Sequence, residues 1–589
     1  MIDTIIVGVV LIFILLALYT ELVGPAFTFL IAIISLGIFG ILSPSEILNG
    51  FANEQIYVII MLLLLGDIIR KTNLVEQVFD YIFGRTKTHR GFLGKMTLLV
   101  GGFSGFLNNT PLVAVMMPYV VNWSKKNEIA PSKLLIPLSF ATILGGCITL
   151  IGTSTNLIVN GLVIENDIPG LTSLSMFDFT PVGLAMFLVG FFYLYFFAEK
   201  LLPTRKDDLT EFTTNAREYI IEAQVREGSR LIGQTVEEAN LKNMNSLYLF
   251  QIIRNRVTIS AVQSDEIIKQ DDLLIFAGGT KDIADLFDSR SGLTFPEVGL
   301  LHRKKYTEVV EIVISHNSSL INQTVKEINF RKKYHAAILA IRRNGEKYTG
   351  LIGNMKLKAG DALLLLAGSD FNDRAEDSLD FYQISKVKEI RKTPFYKIAI
   401  ILGGMATAIA LSAFNIVPLF MSLISLITLL LMLNIASPKE LHKNIDFNLA
   451  IIIALSLALG TAMIKTGFAE LIAQNLISIF LPLGKYGILT GIYLITTVLA
   501  AFITNKASVA LIFPISLAIA MEMGLPPLPF ILVVAFASAA NFMTPIGYQT
   551  NLMVYGPGNY SFKDFFKIGF PLTILYMIGT VLILGYFYF

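Results

Sequence analysis

Four short polar clusters interrupt otherwise apolar stretches of this 589-residue sequence: Ser104-Gly105-Phe106-Leu107-Asn108-Asn109-Thr110-Pro111, Gly152-Thr153-Ser154-Thr155-Asn156, Ala500-Ala501-Phe502-Ile503-Thr504-Asn505-Lys506-Ala507-Ser508 and Pro545-Ile546-Gly547-Tyr548-Gln549-Thr550-Asn551. Proline at 111 suits the first turn of a helix, and Asn or Thr just before it suits a cap. Such a tip presents backbone amides at a helix N-terminus, which attracts anions. Glycine or proline inside an apolar run unwinds a helix and frees carbonyls, which can hold a small cation beside Asn and Ser/Thr oxygens. The plainer explanation is that these residues only cap helices and satisfy kinks, but finding both kinds of cluster twice argues against it. Lys506 stands out, because an ammonium at mid-bilayer costs about 3 kcal/mol. Either it meets an anion directly or it replaces a bound cation; snorkelling or a carboxylate partner would be the bland alternatives, and Asp67, near a helix end, is poorly placed for the latter.

The elements that carry these clusters belong to a membrane. The chain is 54% hydrophobic and 15% charged, with a mean hydropathy of +0.66, which excludes a soluble enzyme. A formal net charge of +2 leaves no footprint for nucleic acid, and a single cysteine, Cys147, excludes a disulfide framework. Charges crowd into residues 203–391, which hold more than half of the 46 basic and 44 acidic side chains. No Lys or Arg precedes the first apolar run, so a removable signal peptide is not expected. Apolar runs near 4–20, 24–42, 54–70, 133–151, 178–200, 394–414, 416–434, 447–465, 527–546 and 570–588 predict about ten spans. Two further segments, 92–122 and 487–520, are apolar at both ends and polar in the middle. They read as re-entrant hairpins, since unpaired backbone at membrane depth survives only where it lines a cavity.

The two membrane halves are copies. FLNNTPLVAVMMP (106–118) lies over FITNKASVALIFP (502–514), and IGTSTNLIVNG (151–161) over IGYQTNLMVYG (546–556), at nearly equal separation. Arg70, Lys71, Arg85, Lys87, Arg90 and Lys95 mark the first loop as cytoplasmic, whereas its counterpart carries only Lys465 and Lys485. The halves then face opposite ways, with the charged insert inside the cell. The expected fold is an α-helical polytopic membrane protein, an inverted repeat with two re-entrant hairpins and a central α+β insert. This is the architecture of a secondary transporter, with its site at midplane between the repeats. A channel finds no sign of a symmetric multi-chain pore, a proton antiporter would want membrane carboxylates beyond Asp67, and an enzyme would want a nucleophile with a base.

The insert is duplicated too. SRLIGQTVEEANL (229–241) matches SSLINQTVKEINF (318–330), and DDLLIFAGG (271–279) matches DALLLLAGS (361–369). The expected units are 1–202 (first membrane repeat), 203–300 and 301–391 (two inserted domains) and 392–589 (second membrane repeat). The inserted pair resembles the C-terminal ligand-binding modules of potassium-channel regulators, the TrkA-C or RCK-C type. That resemblance implies a small-molecule regulator such as a nucleotide, or else a dimerising platform. No GxGxxG follows a strand, so a dinucleotide cofactor has no support.

Through FLNNTPLVAVMMP, LIGTSTNLIVNG, FITNKASVALIFP and TPIGYQTNLMVYGPGNY, the membrane part resembles the divalent anion/sodium symporter family (solute-carrier 13 type). The family implies a homodimer working by an elevator motion, sodium as coupling ion, and a dicarboxylate, citrate or sulfate substrate. It implies substrate contacts from Asn108, Asn109, Thr110, Thr155, Thr504, Asn505, Lys506 and Thr550. A first sodium site would comprise Ser104, Asn108, Asn109 and a carbonyl near Gly152, and a second Ala500, Ile503, Asn505 and a carbonyl near Gly547. Asn108 replaces the family's serine, and Lys506 adds charge where the family has threonine. Members with a long central insert look most like sulfate permeases, and two helix ends with hydroxyls, amides and one Lys suit a compact dianion. The clusters lack an arginine fork for a carboxylate. The expected location is the cell membrane, multi-pass and surrounded by lipid, with 203–391 cytoplasmic.

Overall fold

The structure, a computed structural model, describes all residues except 1, 21–23, 72–81, 84–85, 167, 169, 206–219, 240, 242–246, 256, 261, 279–292, 295–307, 316–317, 344–345, 349–351, 368–370, 372–377, 379, 384–394, 415, 434 and 437–446. Arg85 and the expected boundaries at 300/301 and 391/392 lie outside the described residues, as do the side chains of Asp67, Arg70 and Lys71.

The first half runs α1 (Ile2–Tyr19), α2 (Pro25–Ile38), α3 (Pro44–Ala52), α4 (Glu54–Lys71), α5 (His89–Ser104), α6 (Asn109–Lys126), α7 (Leu135–Gly146), α8 (Ser154–Glu165) and α9 (Thr180–Leu201). The second runs α10 (Phe395–Ala413), α11 (Leu419–Met432), α12 (Phe447–Lys465), α13 (Phe468–Phe480), α14 (Gly484–Phe502), α15 (Asn505–Glu522), α16 (Pro527–Ala539), α17 (Gln549–Tyr555) and α18 (Phe562–Tyr588). Among the described residues, seven helical stretches are long and apolar enough to cross a membrane, and four more apolar helices are shorter. Helices α3 and α13 fall between the runs expected as spans. Each has a local cause: Ser43 and Glu46 form a capping box at the start of α3, and Gly467, at φ 68°, turns the chain into α13.

Both halves contain the same series: a helix, a break and a helix (α5–α6, α14–α15), a second broken pair (α7–α8, α16–α17), then one long helix (α9, α18). The apolar run 133–151 is helical only as far as Gly146. Its last turn packs backbone to backbone on α5, so that a Cβ on Gly145 would fall 2.1 Å from the Gly101 carbonyl oxygen. Such contact, made by paired small residues, is how helices approach closely in an apolar medium. The long helices lean on the breaks in the same manner, since Gly183 of α9 abuts the Cys147 carbonyl and Gly569 of α18 the Phe542 carbonyl. Helices α15 and α16 are buried along most of their length, whereas α1 and α18 leave Ile5, Val9, Leu16, Ile578 and Leu582 exposed, as lipid-facing helices do.

Two five-stranded sheets fill the insert. The first comprises β1 (Ile220–Val225), β2 (Leu247–Arg254), β3 (Val257–Ser260), β4 (Leu273–Gly278) and β5 (Leu293–Thr294), and the second β6 (Glu308–Ile314), β7 (Ala336–Arg343), β8 (Glu346–Tyr348), β9 (Ala362–Ala367) and β10 (Phe381–Gln383). Their orders, β3-β2-β4-β1-β5 and β8-β7-β9-β6-β10, are the same. The same fork recurs as well. Arg254 clamps the Asp272 carboxylate with Nε and Nη2, both at 2.8 Å, and Arg343 clamps Asp361 at 2.7 and 2.6 Å. In each, the carboxylate also accepts from a backbone amide at 2.8 Å, that of Lys269 or Lys358, which pins the turn before the strand. The pairing with Asp272 holds the Arg254 guanidinium's proton more firmly than usual.

The second sheet touches the membrane part. Gly360, at φ +82°, lies against Leu552 of α17, and a Cβ on Gly556 would fall 2.8 Å from that of Ala362 and 2.9 Å from the Gly360 carbonyl oxygen. Val313 and Ala362 join the membrane core there. A polar anchor lies near the end of α9, where Lys133 Nζ donates to the carbonyls of Glu199 and Leu202 and Arg205 Nη2 donates to Asp564 at 2.7 Å.

Candidate functional site

The first tip is built as its residue types dictate. Asn108 is the N-cap of α6, and its side chain accepts from the Thr110 amide at 3.3 Å. Asn109 turns inward and is 2% exposed. Its amide enters a cradle where α5 ends, formed by Ser104 Oγ, the Thr142 carbonyl, the Gly152 carbonyl and the flat face of Gly146. With Nδ2 facing the cradle, the amide donates to Thr142 O at 3.1 Å and Gly152 O at 3.3 Å, while Oδ1 accepts from Tyr548 Oη at 2.6 Å. With the amide reversed, Oδ1 accepts from Ser104 Oγ at 2.5 Å and Nδ2 donates to Tyr548 Oη. In that orientation Oδ1 lies beside Ser104 Oγ, Thr142 O and Gly152 O, a group of neutral oxygens of the kind a monovalent cation accepts. Among the described residues, no three His, Cys, Asp or Glu side chains cluster as a metal site.

The halves meet at this cradle. Tyr548 and Gln549 come from the second half's break: Tyr548 Oη contacts Asn109 and lies 3.1 Å from Thr153 Oγ1, and Thr110 Oγ1 donates to Gln549 Oε1 at 3.0 Å. Thr155, fully buried, lies 3.2 Å from Thr153 across their hydroxyls. On the other side of α17, Ser139 Oγ lies 2.8 Å from Thr550 Oγ1 and 2.7 Å from Asn551 Oδ1. In the reciprocal pairing, α15 packs on α8. The first tip therefore faces the second half's break.

The two breaks are fastened alike. Thr149 Oγ1 donates to the Gly105 carbonyl and Thr544 Oγ1 to that of Ala501. Asn156 Nδ2 donates to Thr149 O at 2.9 Å, and Asn551 Nδ2 to Thr544 O at 3.1 Å. A Cβ on Gly152 would stand 2.8 Å from Ser104 O, and one on Gly547 2.8 Å from Ala500 O. Buried polar groups are satisfied in this repeated way because an unmet one is costly in an apolar surround.

In the second tip, Thr504 is the N-cap of α15 and accepts from the Ala507 amide at 3.2 Å. Ile503 is buried, while Asn505 and Lys506 open α15 half-buried. The structure thus brings Ser104, Asn109, Thr110 and Gly152 together with the second break, and Ala500 with Gly547. Thr155 reaches the first cradle through Thr153 and Tyr548. Thr550 is turned toward Ser139 of α7, and Asn108 and Thr504 use their side chains as caps. The sequence reading missed Tyr548, Gln549, Thr142, Ser139 and Asn541 as site residues. Tyr548 and Gln549 lie over Thr153 and Ser154 in the repeat, which was the available signal.

Apolar helices from two matching halves pack around a buried cluster of neutral oxygens, and the comparisons make the chain a membrane transporter of the citrate and sulfate permease type. Residues 11–476 and 409–589 match the family described as Citrate transporter. The chain is 33% identical over 573 residues to an uncharacterized transporter of Synechocystis sp., covering 95% of this chain and 93% of that one. It is 32% identical over 558 residues to a putative sulfur deprivation response regulator of Chlamydomonas reinhardtii, covering 92% and 94%. It is also 22% identical over 772 residues to sodium/sulfate cotransporter 1 of Chlamydomonas reinhardtii, covering 96% and 87%. The chain belongs to the citrate transporter family.

Proposed function

We propose that the protein is a secondary transporter that couples sodium entry to uptake of a divalent inorganic anion, sulfate, across the cell membrane. The observation that carries this reading is the crossed contact at the centre, where Asn109 and Thr110 of one half meet Tyr548 and Gln549 of the other. A solute held there touches both halves at once. Cation oxygens in the Ser104–Asn109–Gly152 cradle and helix N-termini at Asn108 and Thr504 give an ion pair complementary surroundings. Lys506, at the start of α15, supplies the positive charge for the dianion. Relatives named sodium/sulfate cotransporters support both the ion and the anion. The family's description as citrate transporters favours a second reading, a dicarboxylate or citrate held by the same hydroxyls and amides.

In this reading the broken pairs form re-entrant hairpins that ride as an elevator within a homodimer. The two sheets act as cytoplasmic RCK-C-like modules responding to a small molecule such as a nucleotide. The test is uptake of labelled sulfate, succinate and citrate into proteoliposomes, with and without a sodium gradient, for the parent and Lys506→Thr. Sulfate uptake driven by sodium and sharply reduced in the variant is the expected result. Unchanged uptake in the variant removes Lys506 from the site, and uptake indifferent to sodium removes the coupling.

A further inference from the structure

Asn541 follows the end of α16 and is fully buried, and among the described residues neither its Oδ1 nor its Nδ2 has a hydrogen-bond partner. A buried amide unmet at both ends is costly, and natural structures keep one where a ligand or water completes it. Its backbone is already in use, because its carbonyl accepts from Asn551 Nδ2 at 3.0 Å. The side chain is aimed at the second break: a Cβ on Gly547 would fall 2.0 Å from Asn541 Nδ2 and 2.8 Å from the Ala500 carbonyl oxygen. In the first half the corresponding residue is Gly146, and the amide that fills the space belongs to Asn109, with Oδ1 2.7 Å from where a Cβ on Gly146 would be. Each cradle therefore holds one side-chain amide, one carbonyl from the helix before the tip and one glycine of the break. They differ in where the amide originates.

We propose that Asn541 is a further ligand, not foreseen in the sequence, of the second sodium site that the resemblance implies at Ala500 and Gly547, offering its amide oxygen beside the Ala500 carbonyl to a monovalent cation of about sodium's size. This rests on the sodium-coupling reading and deepens it. The donors are neutral, so a doubly charged ion would lack the carboxylates it requires. Ala500 lies in the last turn of α14, whose dipole end is negative and favours a cation over an anion.

The test uses the full-length protein in detergent, melted across sodium chloride concentrations at constant ionic strength with choline chloride, and sodium-dependent uptake in proteoliposomes. Asn541→Gly gives the second cradle the residue the first already has, and Asn541→Leu replaces the amide with an apolar group of similar size. In both variants the sodium concentration for half-maximal stabilisation should rise about tenfold or more, since contacts to a charged group are worth at least that factor. In choline, Asn541→Leu should melt no lower than the parent, because it removes an unmet amide. Should the leucine variant fail to fold, the glycine variant carries the test. A sodium-responsive parent with unchanged half-points in the variants overturns this inference alone. A parent indifferent to sodium in melting and in uptake overturns the coupling reading and this inference with it.

Discussion

Asn109→Asp tests the first cradle most directly, because it keeps the shape of the side chain and removes its ability to donate. In the parent without cation, Nδ2 can face Thr142 O and Gly152 O at 3.1 and 3.3 Å. Losing two such bonds costs about 1–3 kcal/mol. The carboxylate then faces carbonyl oxygens in a buried place, which adds a desolvation penalty of several kcal/mol. Sodium reverses the sign. A carboxylate among Ser104 Oγ, Thr142 O and Gly152 O is a better cation ligand than an amide, and each tenfold gain in affinity adds about 1.4 kcal/mol of stabilisation at saturating sodium. The variant should therefore melt well below the parent in choline chloride, and the gap should narrow as sodium is added. Lowering the pH in choline should also recover stability, since a protonated aspartic acid regains a donor. Melting of the purified protein in the two salts at several pH values reads all three effects. A variant whose sodium-induced shift and choline midpoint both equal the parent's would refute the assignment of this cradle to a cation.

Gly145→Leu should destabilise the folded protein by more than about 4 kcal/mol, since its Cβ would strike Gly101 O at 2.1 Å; loss of a monodisperse peak in size-exclusion chromatography checks it. Gly556→Leu should unseat the second sheet from α17 without touching the cradles, seen as faster amide exchange in β9 while sodium-dependent melting persists. In that sheet, burial acts to raise the Asp380 carboxyl, but hydrogen bonds from Tyr334, Ser319 and Lys333 hold it down to about 2. This contribution is complete above the ordinary value of 3.8 and is lost as pH falls through about 2. Amide exchange around β6 and β10 should accelerate in that acid window, and Asp380→Asn should already exchange faster at pH 7 with little further change on acidification.

The polar clusters were legible in the sequence because Asn, Thr and Lys inside apolar runs need a reason, and their recurrence in both halves supplied one. What the sequence hid were contacts made by the fold alone. Asn109 and Tyr548 stand 439 positions apart, and a tyrosine or serine in an apolar helix carries no mark of its partner. Asn541 was silent because its counterpart is Gly146, so a search for shared residues passes over it. The end of α7 was invisible to hydropathy, since Cys147 to Ile151 is as apolar as the helix before it. There the chain leaves the helix and is fastened by Thr149 to the Gly105 carbonyl. In the insert, the matched motifs fixed the duplication and already held Asp272 and Asp361, whereas their partners Arg254 and Arg343 lay outside them.

The crossed arrangement carries a mechanical consequence. The first cradle is built by one half, from Ser104, Asn109, Thr142 and Gly152, and its tie to the other half is the Tyr548 hydroxyl. Here the Asn109 amide meets the Tyr548 hydroxyl, which by its chemistry can donate to an amide oxygen or accept from an amide nitrogen. Were the proposed cation to turn the amide, the hydrogen bond held by the other half's break would reverse with it, and Thr153 shares that hydroxyl. Coupling between distant groups needs an element with two discrete arrangements that both sites bias, and an amide turning against a hydroxyl able to donate or accept is such an element. Helix α17 then extends the link, because Tyr548 stands at its N-cap position while Leu552 in its middle and Gly556 just past its end meet Gly360 and Ala362 of the second sheet.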